Sequence, residues 1–337
     1  MKGSSVPRMR AVRYRGPRQV ALLQVSRPQP GPGEVLLRVR AAGICGSDLH
    51  WYRGEWEQLP TTPGHEVGAV VAALGEGVSS LAIGQPVCLE PLVRCGRCPQ
   101  CRDGAYNYCE RFTLLGGIRN GGMADYVVAP AYAVYPLPPE VPPEQGSLVE
   151  PLAVATHALR QAPPVPGEAV LVIGAGTIGL AATTVAHDLG ARVSVIARHP
   201  HQARVAQALG AEHLAAPGDA VPLDHFSVVV ETAGTDQALA LATSACRRRG
   251  AILTLASAPV SFDLTPVVLK GLRLLGSVCY CAHGGEPDFA RAMALLARRP
   301  ELARLLITHR FPLEQAAEAF AIADDKRAGG IKVVLEP

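Results

Sequence analysis

Ala169-Val170-Leu171-Val172-Ile173-Gly174-Ala175-Gly176-Thr177-Ile178-Gly179 is the stretch whose reading decides the fold. Its first five residues are apolar without interruption, the pattern of a strand buried on both faces. Gly-x-Gly-x-x-Gly alone is a weak signal. Set between a buried strand and a helix running to about residue 189, it becomes a dinucleotide fingerprint. Gly174, Gly176 and Gly179 let the backbone approach a pyrophosphate, and the helix opening at Thr177 and Ile178 turns its positive end toward that charge. The competing reading is a glycine-rich turn that binds nothing.

Strands at 192–197, 227–230, 251–255 and 272–275 alternate with helices at 201–209 and 236–246. That alternation predicts a doubly wound parallel sheet. The second strand ends in Ala197-Arg198-His199-Pro200-His201. Folds that take NAD place an acid about twenty residues past the glycines, on the ribose hydroxyls. Here no acid stands there and Arg198 can pair with a 2′-phosphate, which favours NADP(H) over NAD(H). If Arg198 merely stacks on adenine, NAD serves instead.

Upstream, residues 12–129 read as short strands (20–23, 34–40, 67–72) broken by Gly and Pro, a barrel-like β domain whose loops can carry ligands. Two of its segments hold metal-ligand chemistry: Gly43-Ile44-Cys45-Gly46-Ser47-Asp48-Leu49-His50 and Pro63-Gly64-His65-Glu66. Thiolate, imidazole and carboxylate are the donors of Zn²⁺, and a catalytic zinc keeps one position open. Ser47 and His50 offer a hydroxyl and an imidazole able to pass a proton to solvent. The bland alternative is a buried thiol with ordinary surface histidines.

Cys95, Cys98, Cys101 and Cys109 follow with spacing Cys-x2-Cys-x2-Cys-x7-Cys. Four thiolates in one loop suit a closed structural zinc site, with an iron–sulfur cluster as the competing reading. Cys88, Cys246, Cys279 and Cys281 lack such a framework and read as small hydrophobes. Residues 116–128 read as a flexible glycine-rich turn entering a strand. Glu150 heads a helix, where it either completes the zinc site or simply favours the helix dipole. Near the C-terminus, helices at 289–298 and 313–323 precede a strand at 331–335. Lys332 there either reaches cofactor phosphates or is a solvated strand end.

Composition sets the outer bounds. With 32 Lys+Arg against 29 Asp+Glu the net charge of +3 gives no nucleic-acid or membrane surface. Residues 1–13 contain no apolar signal core, and no run is long enough to span a bilayer. The nine cysteines are therefore expected as thiols or metal ligands in a cytoplasmic protein.

Together Cys45-Gly46-Ser47-Asp48-x-His50, Gly64-His65-Glu66, the four-cysteine lobe and Gly174-x-Gly-x-x-Gly179 make the chain resemble the zinc-dependent medium-chain alcohol dehydrogenases. Val149-Glu150-Pro151-Leu152-Ala153 is similar to the sorbitol, threonine and cyclitol dehydrogenase branch, where a glutamate replaces a ligand cysteine. The resemblance implies an α/β two-domain protein: a GroES-like β-barrel catalytic domain (1–155, structural lobe 88–112), a Rossmann sheet (156–283) and a return segment (284–337). It implies Cys45 and His65 as direct ligands, and Glu66 and Glu150 as direct or water-mediated ones. Ser47 and His50 would be the proton relay, Thr156 a neighbour of the nicotinamide, and Lys332 a pyrophosphate contact. A small alcohol or ketone, of polyol, sugar or amino-cyclitol type or else a simple alcohol, would be the substrate of a dimer or tetramer. The rival readings are a zinc-free quinone or enoyl reductase and a non-catalytic dinucleotide-binding or redox-sensing protein. Trp51, Tyr52, Trp56, Arg94 and Arg119 are candidate pocket residues that serve equally as packing or surface.

Overall fold

The computed structural model describes residues 7–282 and 284–337, so residues 1–6 of the N-terminal reading and His283 at the expected 156–283 boundary lie outside the described residues. The chain forms two compact units. One takes the chain up to Glu150 and again from Ala282, and the other is Pro151–Cys281.

In the first unit a seven-stranded sheet runs in the order Ile307–Pro312, Lys332–Glu336, Glu34–Gly43, Glu66–Leu74, Pro86–Leu89, Val134–Pro136, with Tyr126–Pro130 also paired to Glu34–Gly43. Alternating apolar residues explain its core: Val35, Leu37 and Val39 meet Val67, Ala69 and Val71, and the interior is closed by Leu313, Phe320 and Leu335 from the end of the chain. The helix Ala316–Asp324 places Phe320 against Tyr52 and Tyr14, with ring centroids 5.2 and 6.0 Å away. The helix expected over 313–323 thus begins as a 3₁₀ turn, Leu313–Gln315.

Several elements differ from the sequence expectation. Cys45 to His50 is not a loop, because Gly46–Arg53 is a helix. Glu301–Leu306 and Ile307–Pro312 form an unforeseen helix and strand, the strand running parallel to Lys332–Glu336. Cys246 opens the strand Cys246–Thr254 instead of closing the helix Asp236–Ala245.

In the second unit six parallel strands stand in the order Ala211–Ala215, Arg192–Ile196, Ala169–Ile173, Phe226–Glu231, Cys246–Thr254, Arg273–Gly276. Numbered along this unit the order is 3-2-1-4-5-6, the doubly wound arrangement whose direction reverses beside the first strand. Ala169–Ile173 is buried at every position, as its unbroken apolar run requires. Gly174 follows at φ 102°, and a Cβ there would meet Thr232 Oγ1 at 2.6 Å. A Cβ on Gly179 would lie 1.9 Å from the Gly174 carbonyl oxygen, so the helix Thr177–Asp188 can start this close to the strand only with glycine. Gly176, in contrast, faces open space, with nothing within 4 Å of its would-be Cβ.

Gly179→Ala should therefore destabilise the protein by about 1–3 kcal/mol, while Gly176→Ala should leave its melting temperature unchanged and weaken dinucleotide binding. Equal thermal denaturation of Gly179→Ala and wild type would contradict this packing.

Candidate active site

The strand pair Glu34–Gly43 and Glu66–Leu74 builds the site. Their antiparallel register puts Gly43 opposite Glu66, so Cys45, just past one strand, and His65, just before the other, emerge at the same end of the sheet. A Cβ on Gly43 would lie 1.9 Å from Glu66 Oε2, so the carboxylate rests against bare backbone. Cys45 then caps the helix Gly46–Arg53, and Asp48 Oδ2 accepts the Cys45 N–H at 2.9 Å.

The His65 segment is buttressed from below. Gly64 has φ 96°, and Gly121, Gly122 and Met123 donate their N–H groups to the carbonyls of Thr62, Gly64 and Pro63 at 2.8–3.0 Å. Cβ atoms on Gly116 and Gly121 would sit 2.5 and 2.2 Å from Gly64 backbone atoms. The glycines expected to make a flexible turn over 116–128 are instead required for close packing.

Cys45, His65 and Glu66 bring one ligand atom each to within 4.8 Å of the others. His65 and Glu66 are buried and Cys45 is half-buried. Asp48 Oδ1 and His65 Nδ1 are buried without a hydrogen-bond partner, 3.9 Å apart. Burial alone would lower the His65 pKa, yet Cys45, Asp48 and Glu150 outweigh it and hold it well above its ordinary value. Burial raises Asp48. Burial also pushes Glu150 up to about 7, opposed by His65 and Lys332 and reinforced by Glu66 and Asp48. A buried imidazole whose sulfur and carboxylate neighbours favour positive charge marks a place suited to a bound cation, and thiolate, imidazole and carboxylate are zinc donors. The residues fit zinc. Glu150, though buried nearby, is outside the set of mutually close ligand atoms.

Lys332 corrects a sequence expectation. It is neither a solvated strand end nor a free charge for phosphates: it is 1% exposed, and Nζ donates to Glu66 at 2.6 Å and to the Ile44 carbonyl at 2.9 Å. Sequence reasoning also passed over Asp48, although an acid three residues after a helix cap is a capping-box signature. Nothing local announces the pairing of Lys332 with Glu66.

The remaining candidates fall as follows. Ser47 Oγ lies 3.5 Å from His65 Nε2. His50 follows one turn later in the same helix. Thr156 is buried in the helix Val149–Gln161 and its hydroxyl donates to the Leu152 carbonyl at 2.8 Å. Arg198 is exposed beyond the strand Arg192–Ile196. Trp51 and Tyr52 lie in the helix Gly46–Arg53, Tyr52 in the core. Arg94 stacks over Tyr106 at 4.1 Å, and Arg119 pairs with Glu34 at 3.4 Å. A cavity of about 270 Å³ lined by Arg13, Arg119, Asn120 and Tyr126 contains none of the candidate metal ligands.

The sulfurs of Cys95, Cys98, Cys101 and Cys109 also lie within 4.8 Å of one another, between the paired strands Leu92–Val93 and Thr113–Leu114. Cys95 and Cys101 sulfurs are 3.9 Å apart, near the ~3.8 Å edge of a tetrahedron with 2.3 Å metal–sulfur bonds. Backbone N–H groups of Arg97 and Cys98 help lower Cys95 to about 6, toward the thiolate a metal requires. This compact set suits one ion better than a multi-iron cluster, which spreads its cysteines over several metals. Cys88, Cys246 and Cys281 are buried, and Cys279 is half-buried at φ 53°.

Replacing Lys332 by Met strands the buried Glu66 carboxylate. Zinc-free Lys332→Met should lose roughly 3–5 kcal/mol of stability, and zinc should recover most of it as the carboxylate turns to the ion. Identical melts of variant and wild type, with and without zinc, would contradict the pairing.

Residues 31–139 match the alcohol dehydrogenase GroES-like domain and residues 177–298 the zinc-binding dehydrogenase family. The chain is 31% identical to L-galactonate-5-dehydrogenase of Escherichia coli strain K12, over 90% of this chain and 92% of that protein. It is 35% identical to L-threonine 3-dehydrogenase of Pyrococcus furiosus, over 94% and 95% respectively. A zinc-binding dehydrogenase from Sinorhizobium meliloti 1021 solved with NADP superposes with a TM-score of 0.90 at 31% identity, over 98% of this chain and 100% of the other. GroES-like β domain, Rossmann sheet and zinc donors thus converge on one conclusion. The chain belongs to the zinc-dependent medium-chain alcohol dehydrogenases, nicotinamide-dependent oxidoreductases, in their polyol and threonine dehydrogenase branch.

Proposed function

We propose that this protein moves a hydride between NADP(H) and a secondary alcohol or its ketone, the substrate being a polyol, sugar or amino-cyclitol. The carrying observation is the clustered donor set of Cys45, His65 and Glu66, with buried Glu150 beside it and the Ser47 hydroxyl 3.5 Å from His65 Nε2. Relatives named for L-galactonate and L-threonine support a substrate with several polar groups over a simple alcohol.

Cys45, His65, Glu66 and Glu150 would hold the zinc. When bound, zinc supplies Lewis acidity toward the substrate oxygen and the nicotinamide supplies the hydride acceptor or donor. Ser47 takes the hydroxyl proton, and His50, one helical turn on, releases it to solvent. Lys332 holds Glu66 in place by its buried ion pair. In the second unit Gly174, Gly176 and Gly179 with the N–H groups of Thr177 and Ile178 receive the pyrophosphate, and Thr156 packs toward the nicotinamide.

The choice of NADP(H) rests on Ala197 and exposed Arg198 where NAD-binding folds carry an acid. Assembly as a dimer or tetramer is supported by the edge strand Arg273–Gly276 and the exposed Leu264, Val268 and Leu269 near it in sequence. Cysteines read as metal ligands and small buried hydrophobes, with no disulfide framework in their spacing, support a reducing cytoplasm. Among the described residues no helix is long and apolar enough to cross a membrane.

The test is nicotinamide absorbance with both cofactors across polyols, sugar acids, amino alcohols and simple alcohols. Turnover of a polyhydroxylated secondary alcohol with NADP at least tenfold better in kcat/KM than with NAD is expected, and Arg198→Ala should erase that preference. Equal use of both cofactors by wild type would contradict the 2′-phosphate assignment.

A further inference from the structure

The segment after the helix Gly46–Arg53 folds back on it. Gly54 takes the left-handed conformation at φ 76° and donates its N–H to the Trp51 carbonyl at 3.0 Å. The N–H groups of Glu55 and Trp56 then both point to the carbonyl of His50, at 3.0 and 3.4 Å. Two side chains are thereby delivered to the His50 ring. The Glu55 carboxylate contacts Nδ1. The Trp56 indole stacks on the imidazole, with centroids 4.7 Å apart and planes at 17°, and Trp51 braces Trp56 edge-on at 5.2 Å. A partly exposed histidine gripped on one edge and one face is not a freely turning surface group.

We propose that Glu55 is a positioning residue of the proton relay, binding His50 through Nδ1 so that Nε2 is the nitrogen that takes up the proton. The proposal rests on the relay role of Ser47 and His50 given above. A neutral imidazole has one N–H and one acceptor nitrogen, and a carboxylate beside Nδ1 claims the N–H there. The lone pair is left on Nε2, and the imidazolium formed on protonation is stabilised by the adjacent charge, as in hydrolase triads. In alcohol oxidation the proton of the substrate hydroxyl would pass by way of Ser47 toward Nε2, and a bound nicotinamide would accept the hydride. The exposed His50–Glu55 pair then yields the proton to water.

Other charges facing the pair do not cancel it. Arg53 Nη1 lies 3.6 Å from Glu55 Oε1, while Arg53 Nε is held by Asp324 at 2.6 Å. The His50 hydrogen bond and, after it, the Arg53 charge keep Glu55 below the usual carboxylate range despite some desolvation.

The experiment uses zinc-loaded protein labelled with ¹⁵N at histidine, with His50→Gln to assign the signal and Glu55→Ala and Glu55→Asp as variants. Wild type should show His50 protonated on Nδ1 when neutral. Glu55→Ala removes the acceptor at Nδ1, so the Nε2–H tautomer should appear beside the Nδ1–H form and kcat of alcohol oxidation should fall severalfold with KM unchanged. Glu55→Asp should restore part of both changes. An unchanged tautomer in Glu55→Ala would overturn the proposal. If His50→Gln lowers kcat and Glu55→Ala does not, the Glu55 assignment alone falls. If His50→Gln leaves kcat untouched, the relay reading itself fails and the positioning role falls with it.

Discussion

A fully buried ammonium governs the chemistry of the first unit. Lys332 ties the last strand of the chain to Glu66, 266 positions earlier, and to the carbonyl of Ile44 beside Cys45. Taking Lys332 and Glu66 out of water is costly unless they meet. Once they meet, Glu66 has a fixed place against the bare backbone of Gly43, and the ligand atoms of Cys45 and His65 gather around it. The sheet register and the ion pair together convert residues scattered through the sequence into one donor set. Because Lys332 occupies the Glu66 carboxylate, the pair also restrains how far that carboxylate can turn to a bound ion.

Glycine does the complementary work in both units. At Gly43, Gly116 and Gly121 a side chain would collide with the ligand segment, at Gly64 with Met123, and at Gly179 with the carbonyl of Gly174. These positions exclude Cβ so that backbone can approach backbone, which keeps a metal site and a phosphate loop stiff without large side chains. Gly176 differs, since the space beside it is empty of protein, as a site for a pyrophosphate should be.

Much of this was legible in the sequence because its signals are local. An apolar run followed by spaced glycines predicted the strand Ala169–Ile173 and the helix Thr177–Asp188, and alternation beyond them predicted the parallel sheet. The four-cysteine spacing predicted a compact sulfur cluster. The misses are features that depend on distant partners or on very short elements. The helix Gly46–Arg53 has eight residues and is specified mostly by its capping at Cys45 and Asp48. Ile307–Pro312 is a strand because Lys332–Glu336 lies beside it, and its own sequence, with Pro312 and alternating polar residues, gives a weak strand signal. Lys332 looks like a solvated strand end until its strand is paired, and only the folded sheet reveals its charge partner.

The proposed chemistry depends on a zinc ion that Cys45, His65 and their acidic neighbours would hold, separate from the one expected in the four-cysteine lobe. The direct measurement is metal content per chain, with alcohol oxidation followed in parallel, for wild type and Cys45→Ser grown with ample zinc. Two zinc ions in wild type, and one in a folded but inactive Cys45→Ser, are the predicted result. Undiminished turnover by Cys45→Ser, or a wild-type chain carrying only the lobe zinc at full activity, would contradict the account.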